Sequence, residues 1–392
     1  MQSEGWTHPP EALMGTPWIR GDTALGDVVR WFSATVEENL ASPLWRERYA
    51  PLVAAEQAAA AGEKHPFLTV VMRTQLTRED ALTEALLSLM AQSDPDFEVV
   101  LIPHRVTGET RARVEAIVAG FPADFAGRVR VLPLEEGNRT APLNYGFARS
   151  RGDYIAVLDD DDVVMEHWVE EFHRAAEAHP GTVAHCQAVN QDWRSQTDRT
   201  GQKALAAMSA PRAVYCQPFS AFVELRVNRC PVFTLAFPAW AFRELGFLFD
   251  EALTTTEDWD YLRRVTAVCG VTDIPRVGGI YRLWQSGTTS HTQHREKEWQ
   301  RNERYINREE RRYPVILRRS QHREAEHLGR LVELGIRDEE ETRRLERSSG
   351  TIEDLQSIIA AQKETIFALE GKGFRGRFLR MLKLVWHRLR GK

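Results

Sequence analysis

From Pro66 to Asp162 the chain alternates short runs of apolar, β-favouring residues with stretches of helical periodicity, and this alternation leaves few folds open to it. Phe67 to Met72 reads as a strand, and Glu79 to Gln92 as a helix with Leu82, Leu86 and Leu89 on one face. Phe97 to Ile102 reads as a strand, Thr110 to Gly120 as a helix and Arg128 to Leu132 as a strand. A helix from Ala141 to Ser150 then leads into the run Tyr154 to Leu158. Strand and helix at this spacing imply βαβ units, so the expected class is α/β with a largely parallel sheet flanked by helices. The loop after the first strand, Arg73-Thr74-Gln75-Leu76-Thr77, lacks a G-x-G-x-x-G, which disfavours a dinucleotide-binding enzyme.

The run Tyr154 to Leu158 ends in four consecutive aspartates, Asp159 to Asp162. Open α/β sheets bind ligands at the carboxyl ends of their strands, so this strand delivers its carboxylates to the functional rim. Carboxylates roughly 5 Å apart repel by about 3 kcal/mol per pair at an effective dielectric near 20. Such a cluster is tolerable when it is solvated, shares protons or holds a hard cation. Oxygen ligands of this kind suit magnesium or manganese. A solvated acidic turn is the plain alternative.

Net charge of −5 argues against a chain-wide affinity for nucleic acid, although it conceals a basic C-terminus. Cys186, Cys216, Cys230 and Cys269 are widely spaced with no C-x-x-C pair, as expected of reduced, buried thiols in a reducing compartment. The start, Met1-Gln2-Ser3-Glu4, does not read as a signal peptide, and no run reaches the roughly 18 apolar residues of a membrane span. A cytoplasmic location follows as the expectation.

Five regions are expected. Residues 1–62 form a helical extension, with helices at Asp27 to Leu40 and from Ser42-Pro43 onward, docked through Trp31, Phe32, Val36 and Trp45. Residues 63–294 form the catalytic-type domain. Its second half reads as strands at Ala213 to Cys216, Thr234 to Phe237 and Gly279 to Tyr281, with helices at Pro238 to Leu245 and Asp258 to Cys269. Residues 295–340 are a charged helical region. Residues 341–370 carry a short, interrupted heptad pattern (Leu345, Ile352, Ile359 and Ile366), which suggests a weak coiled coil and homo-oligomerisation. Residues 371–392 place Phe374, Phe378, Met381, Leu382, Val385 and Leu389 on one helical face opposite Lys and Arg side chains, with no acidic residue. That pattern suits an anionic membrane surface, hence peripheral attachment at the cytoplasmic face. Docking on the protein's own acidic body or on a partner is the alternative.

Over residues 66 to 291 the ordered features resemble family 2 glycosyltransferases, whose domain has the nucleotide-sugar-binding glycosyltransferase A fold. The shared pieces are Val70 to Thr74 entering a Thr-bearing loop, Ser88-Leu89-Met90-Ala91-Gln92, the strand Phe97 to Ile102, Asn144-Tyr145-Gly146, and Gly152-Asp153-Tyr154-Ile155. Asp159 and Asp161 match the framing residues of the family's Asp-x-Asp-Asp cluster, and Thr256-Glu257-Asp258 resembles its Glu-Asp motif. The resemblance implies an inverting, metal-dependent transfer of a sugar from a nucleoside-diphosphate sugar to a glycan or glycolipid hydroxyl in cell-surface assembly. It implies Asp258 as general base, aided by Glu257. It implies magnesium or manganese on Asp161 and Asp159, with His291 as a further ligand from the polar loop Ser286 to Ser290. Donor contacts would come from Thr74, His104, Arg139, Asn144, Asp159 and Asp160, and acceptor stacking from Trp259 and Trp284.

Two departures bear on the donor. Pro103-His104 stands where relatives carry an Asp pair that contacts the base or ribose, so UDP leads with dTDP and GDP open. Leu143 stands where many relatives carry Arg, and Arg139 lies one helical turn earlier. Glu257 and Asp258 are also what a capped helix start would show by itself. The competing functions are a non-catalytic scaffold of this fold and a nucleotidyltransferase. A nucleotidyltransferase would need the Gly-rich, Lys-bearing phosphate loop that is missing after the first strand.

Overall fold

The computed structural model describes residues 25–197, 203–225, 227–285 and 296–309. Its centre is a sheet built as the alternation requires. Strands β1 (Leu68–Thr74), β2 (Phe97–Pro103), β3 (Val129–Val131) and β4 (Tyr154–Val157) lie in the order β3-β2-β1-β4 and are mutually parallel. Past β4 the sheet becomes mixed. Strand β9 (Leu235–Pro238) pairs antiparallel with both β4 and β6 (Val183–Thr197), and β6 then runs parallel to β10 (Val271–Trp284). Strand β5 (Val163–Val164) caps β10, while β7 (Lys203–Ala207) and β8 (Arg212–Tyr215) form antiparallel pairs on β6.

Side chains of a strand alternate between the two faces, and the parallel strands here feed two cores. Val70, Met72, Val99, Leu101, Ala156 and Leu158 face one core, covered by α3 (Glu79–Met90), α4 (Gly108–Ala119) and α7 (Trp168–Ala178). Val71, Val100, Ile102, Ile155 and Val157 face the other. That side is covered by α6 (Ala141–Ala148), α9 (Ala239–Arg243) and α10 (Glu257–Cys269). Both faces are covered, which is why these strands read as nearly continuous apolar runs. Short helices α5 (Ala123–Ala126) and α8 (Ala221–Glu224) sit in connections.

The extension joins the second core. Helix α1 (Leu25–Ala41) leads to a π-helical turn, Leu44–Tyr49, and then α2 (Ala50–Ala59). Trp45 and Tyr49 are buried, and Trp31, Phe32 and Val36 pack against the same cluster in part. Glu56 of α2 is buried against Arg130, Arg149 and Arg151, an ionic tie between extension and domain.

The glycine of the Asn144-Tyr145-Gly146 motif has a packing cause. A Cβ at Gly146 would lie 2.4 Å from Val71 Cγ1 and 2.9 Å from Ile102 Cδ1, so only glycine lets α6 sit this close to the sheet. Gly146→Ala is therefore expected to lower the unfolding free energy by about 1–3 kcal/mol, the usual cost of overpacking. Urea denaturation checks this; an unchanged midpoint would mean that α6 can move away freely.

Helix α11 (Glu296–Glu309) packs on the domain, with Ile306 buried against Leu253 and Trp259. No helix among the described residues is long and apolar enough to cross a membrane. The proposed coiled coil at 341–370 and the basic helix at 371–392 lie outside the described residues.

Candidate active site

The carboxyl ends of β1 and β4 bring together the Thr-bearing loop and the four aspartates, and each acidic side chain has its own neighbour. Arg73 Nε donates to Asp159 Oδ1 at 3.2 Å. Thr74 Oγ1 donates to Asp160 Oδ2 at 2.5 Å, and the same hydroxyl accepts from Leu76 N at 2.9 Å, which shapes the left-handed Leu76 turn. Arg78 pairs with Asp161 at 3.3 Å, and its guanidinium stacks 4.6 Å from the ring centre of Trp284. Asp162 is buried and accepts from Arg282 N at 2.8 Å.

Carboxylates outnumber the guanidiniums that face them, and their acidities respond. Burial first, then the charge of Asp159, raises Asp160 to about 6 despite the Thr74 hydroxyl. Burial and the charges of Asp160 and Asp159 raise Asp161 to about 7. Asp162 is pushed well up by burial and by Asp161.

Across the rim, α10 begins with Glu257 and Asp258. Burial alone would raise Glu257, but Arg139 and Arg73 outweigh it and hold this carboxyl below the usual range. Its Oε1 lies 2.9 Å from Arg73 Nη1 and 3.2 Å from Arg139 Nε, and the side chain is 2% exposed. Arg73 Nη1 also donates to the Arg139 carbonyl at 2.8 Å. Arg73 thus ties the aspartate cluster to the Glu-Asp motif. Asp258 behaves oppositely to Glu257: burial and the neighbouring Glu257 charge raise it to about 6. Side by side stand one carboxylate held low by two guanidiniums and one raised by burial and its neighbour's charge.

These groups line one cavity of about 430 Å³, within the size range of small-molecule sites. Its wall includes Arg73, Arg139, Asp159, Glu257 and Asp258. Tyr215 and Tyr281, in edge-to-face contact at 5.9 Å, and Asn228 also line it. Trp299 and Glu303 of α11 complete the wall.

The positions chosen from sequence separate into groups. Arg139, Asp159, Glu257, Asp258 and Trp259 line the cavity. Thr74, Asp160, Asp161 and Trp284 lie beside it along the rim, joined by the contacts given above. Asn144 is placed elsewhere. It is fully buried, its Nδ2 donates to Phe249 O at 2.9 Å and Glu251 Oε1 at 3.0 Å, and its Oδ1 accepts from Phe249 N. A side chain so occupied clamps the 249–251 loop. Trp259 is 4% exposed, donates its indole N–H to Glu224 O and carries Arg263 over one face at 4.8 Å. Both features hold the indole in place at the cavity wall. His104 is buried, with Nε2 3.2 Å from Glu136 O, and burial lowers its pKa. His291 lies outside the described residues. Among the described residues no three His, Cys, Asp or Glu side chains converge closely enough to hold a metal ion.

Sequence reading passed over Arg73, although an arginine in the apolar run Leu-Thr-Val-Val-Met-Arg-Thr is itself a signal. Nothing in sequence marked Arg78, Tyr215, Asn228 or Trp299, because their nearness depends on the sheet's closure.

An α/β sheet with acidic residues at the end of β4 and a Glu-Asp pair opening a later helix defines a glycosyltransferase A-type domain. Residues 69–243 match the family described as Glycosyl transferase family 2. The chain is 31% identical over 143 residues to the O-antigen biosynthesis protein RfbC of Myxococcus xanthus, covering 35% of this chain and 11% of that protein. It is 24% identical over 201 residues to an uncharacterized glycosyltransferase of Rickettsia felis, covering 48% and 30%. The chain thus spans less than a third of the length of either relative. Among solved structures, it is similar to S. aureus TarS 1–349 in complex with UDP-GlcNAc, at 17% identity and TM-score 0.47, covering 61% of this chain and 65% of that one.

Proposed function

We propose that this chain is an inverting glycosyltransferase that moves a sugar from a nucleoside-diphosphate donor to a hydroxyl of a cell-surface polysaccharide, glycolipid or glycoconjugate. One observation carries the reading: Asp258, raised to about 6, lines the same cavity as Asp159, Arg73 and Arg139. Transfer with inversion needs a base at the acceptor hydroxyl and positive charge at the departing diphosphate, held in line. Asp258 can accept the proton. Arg139 and Arg73 line the same cavity and would supply positive charge toward the diphosphate. UDP is the first nucleotide to test, then dTDP and GDP, since Pro103-His104 replaces the usual acidic pair and His104 is buried. The likeness to RfbC, named for O-antigen biosynthesis, supports a cell-surface glycan as acceptor.

The aspartates suit a divalent cation in chemistry. They supply only oxygen ligands, and the raised Asp160 and Asp161 mark an excess of negative charge that magnesium or manganese would neutralise. Asp161 and Asp159 would hold it, exchanging their arginine partners for the ion. When bound, it would supply charge stabilisation to the leaving diphosphate. Asp161→Asn is expected to abolish manganese binding in the presence of UDP, read by electron paramagnetic resonance, while the thermal midpoint stays level or rises as repulsion is relieved. Unchanged manganese binding would remove Asp161 from the metal site. Consumption of UDP-sugars with manganese, lost in Asp258→Asn, tests the reaction. A catalytically silent wild type would favour the scaffold alternative.

A further inference from the structure

We infer that Asn302, on α11 beyond the family-matched residues, is a positioning residue for Asp258. The inference rests on the proposed reaction for its kinetic test. The Glu-Asp motif is entered through Thr256, whose φ of +64° and ψ of +15° lie in the left-handed region that β-branched residues rarely adopt. Such a conformation persists only when the surroundings over-determine it. Thr256 does not hold itself: its side chain makes no cap to α10, and its hydroxyl donates back to the Thr255 carbonyl at 2.5 Å.

The restraint comes from two sides. On one, Thr140 Oγ1 donates to Leu253 O at 2.9 Å, and Asn138 Nδ2 donates to Glu251 O at 2.5 Å. On the other stands Asn302, itself 3% exposed. Its Nδ2 lies 2.8 Å from Oγ1 of the fully buried Thr255, 3.3 Å from Thr254 Oγ1 and 3.4 Å from the Thr255 carbonyl. One amide therefore gathers both residues that precede the left-handed Thr256. Neighbouring positions on the same helix, Trp299 and Glu303, reach the cavity wall that Asp258 shares. Without the amide, one of the two restraints on Thr256 is lost, and the two carboxylates that follow can shift with it. Displacement of a reacting group by about 1 Å can cost a hundredfold in rate.

Asn302→Ala should lower kcat by about tenfold to a hundredfold with KM for the nucleotide sugar nearly unchanged. Ile306→Ala is the control for helix docking: it loses apolar contact with Leu253 and Trp259 but keeps the amide. It should lower the thermal midpoint at least as much while leaving kcat near wild type. A readout independent of turnover is the Asp258 carboxyl titration by carbon-13 NMR, at about 6 in the wild type and moving toward the ordinary carboxylate range in Asn302→Ala. An unchanged kcat in Asn302→Ala overturns the inference, as does an equal loss in Ile306→Ala or an unmoved Asp258 titration. If the wild type consumes no nucleotide sugar, the proposed reaction fails, and the titration alone decides the role of Asn302.

Discussion

Asp258→Asn is expected to cut turnover by about a hundredfold or more while leaving donor affinity near normal, the pattern of a lost general base. Asparagine preserves shape and the hydrogen bond accepted from Trp259 N at 2.7 Å, so the start of α10 should stand. The pH profile supplies a second sign. A base works deprotonated, so in the wild type kcat should rise with pH through about 6 and level off above it. That limb should vanish from the residual activity of the variant. Isothermal calorimetry with UDP and manganese separates binding from chemistry. A fall in affinity as large as the fall in rate would make Asp258 a donor ligand and leave the base to be found elsewhere.

The largest effect on stability is expected at Arg73. Arg73→Met leaves the buried Glu257 with Arg139 as its remaining close cation and strips Asp159 of its guanidinium partner. Breaking a buried ion pair from one side costs about 3–5 kcal/mol, because the surviving charge stays desolvated. The double variant Arg73→Met/Glu257→Gln should recover much of that loss, since removing both members of a buried pair is far cheaper than removing one. Urea denaturation of the wild type and both variants reads the difference. A single variant as stable as the wild type would mean that Glu257 takes up a proton or finds water, and Arg73 would not be the tie between the two halves of the site.

Residues 67–158 were legible because β1, β2 and β4 are buried on both faces, so burial writes nearly unbroken apolar runs that local periodicity can detect. Strand β6 was not: Val183–Thr197 interleaves His185, Gln187, Asn190, Gln191 and Asp192 with apolar residues, and several of its polar positions find partners on other strands. His185 meets Asp273, and Asn190 meets Arg212, contacts that local sequence does not disclose. The aspartate run and Glu257-Asp258 announced themselves by composition. Asn144 shows the limit of that method, since a motif position can serve the packing of the site and never reach its surface. Helix α11 shows the converse. Its charged sequence reads as a solvated face, yet Asn302 is buried and Trp299 lines the cavity.

The most direct measurement is time-resolved proton NMR of the anomeric signal during incubation with UDP-, dTDP- and GDP-linked α-sugars, manganese and a hydroxyl acceptor. One donor should be consumed, the β-configured product should appear first, and Asp258→Asn should suppress its formation. A product that first appears α-configured would contradict inversion with Asp258 as base. If no donor in the panel is consumed, the claim that this cavity transfers sugars is contradicted.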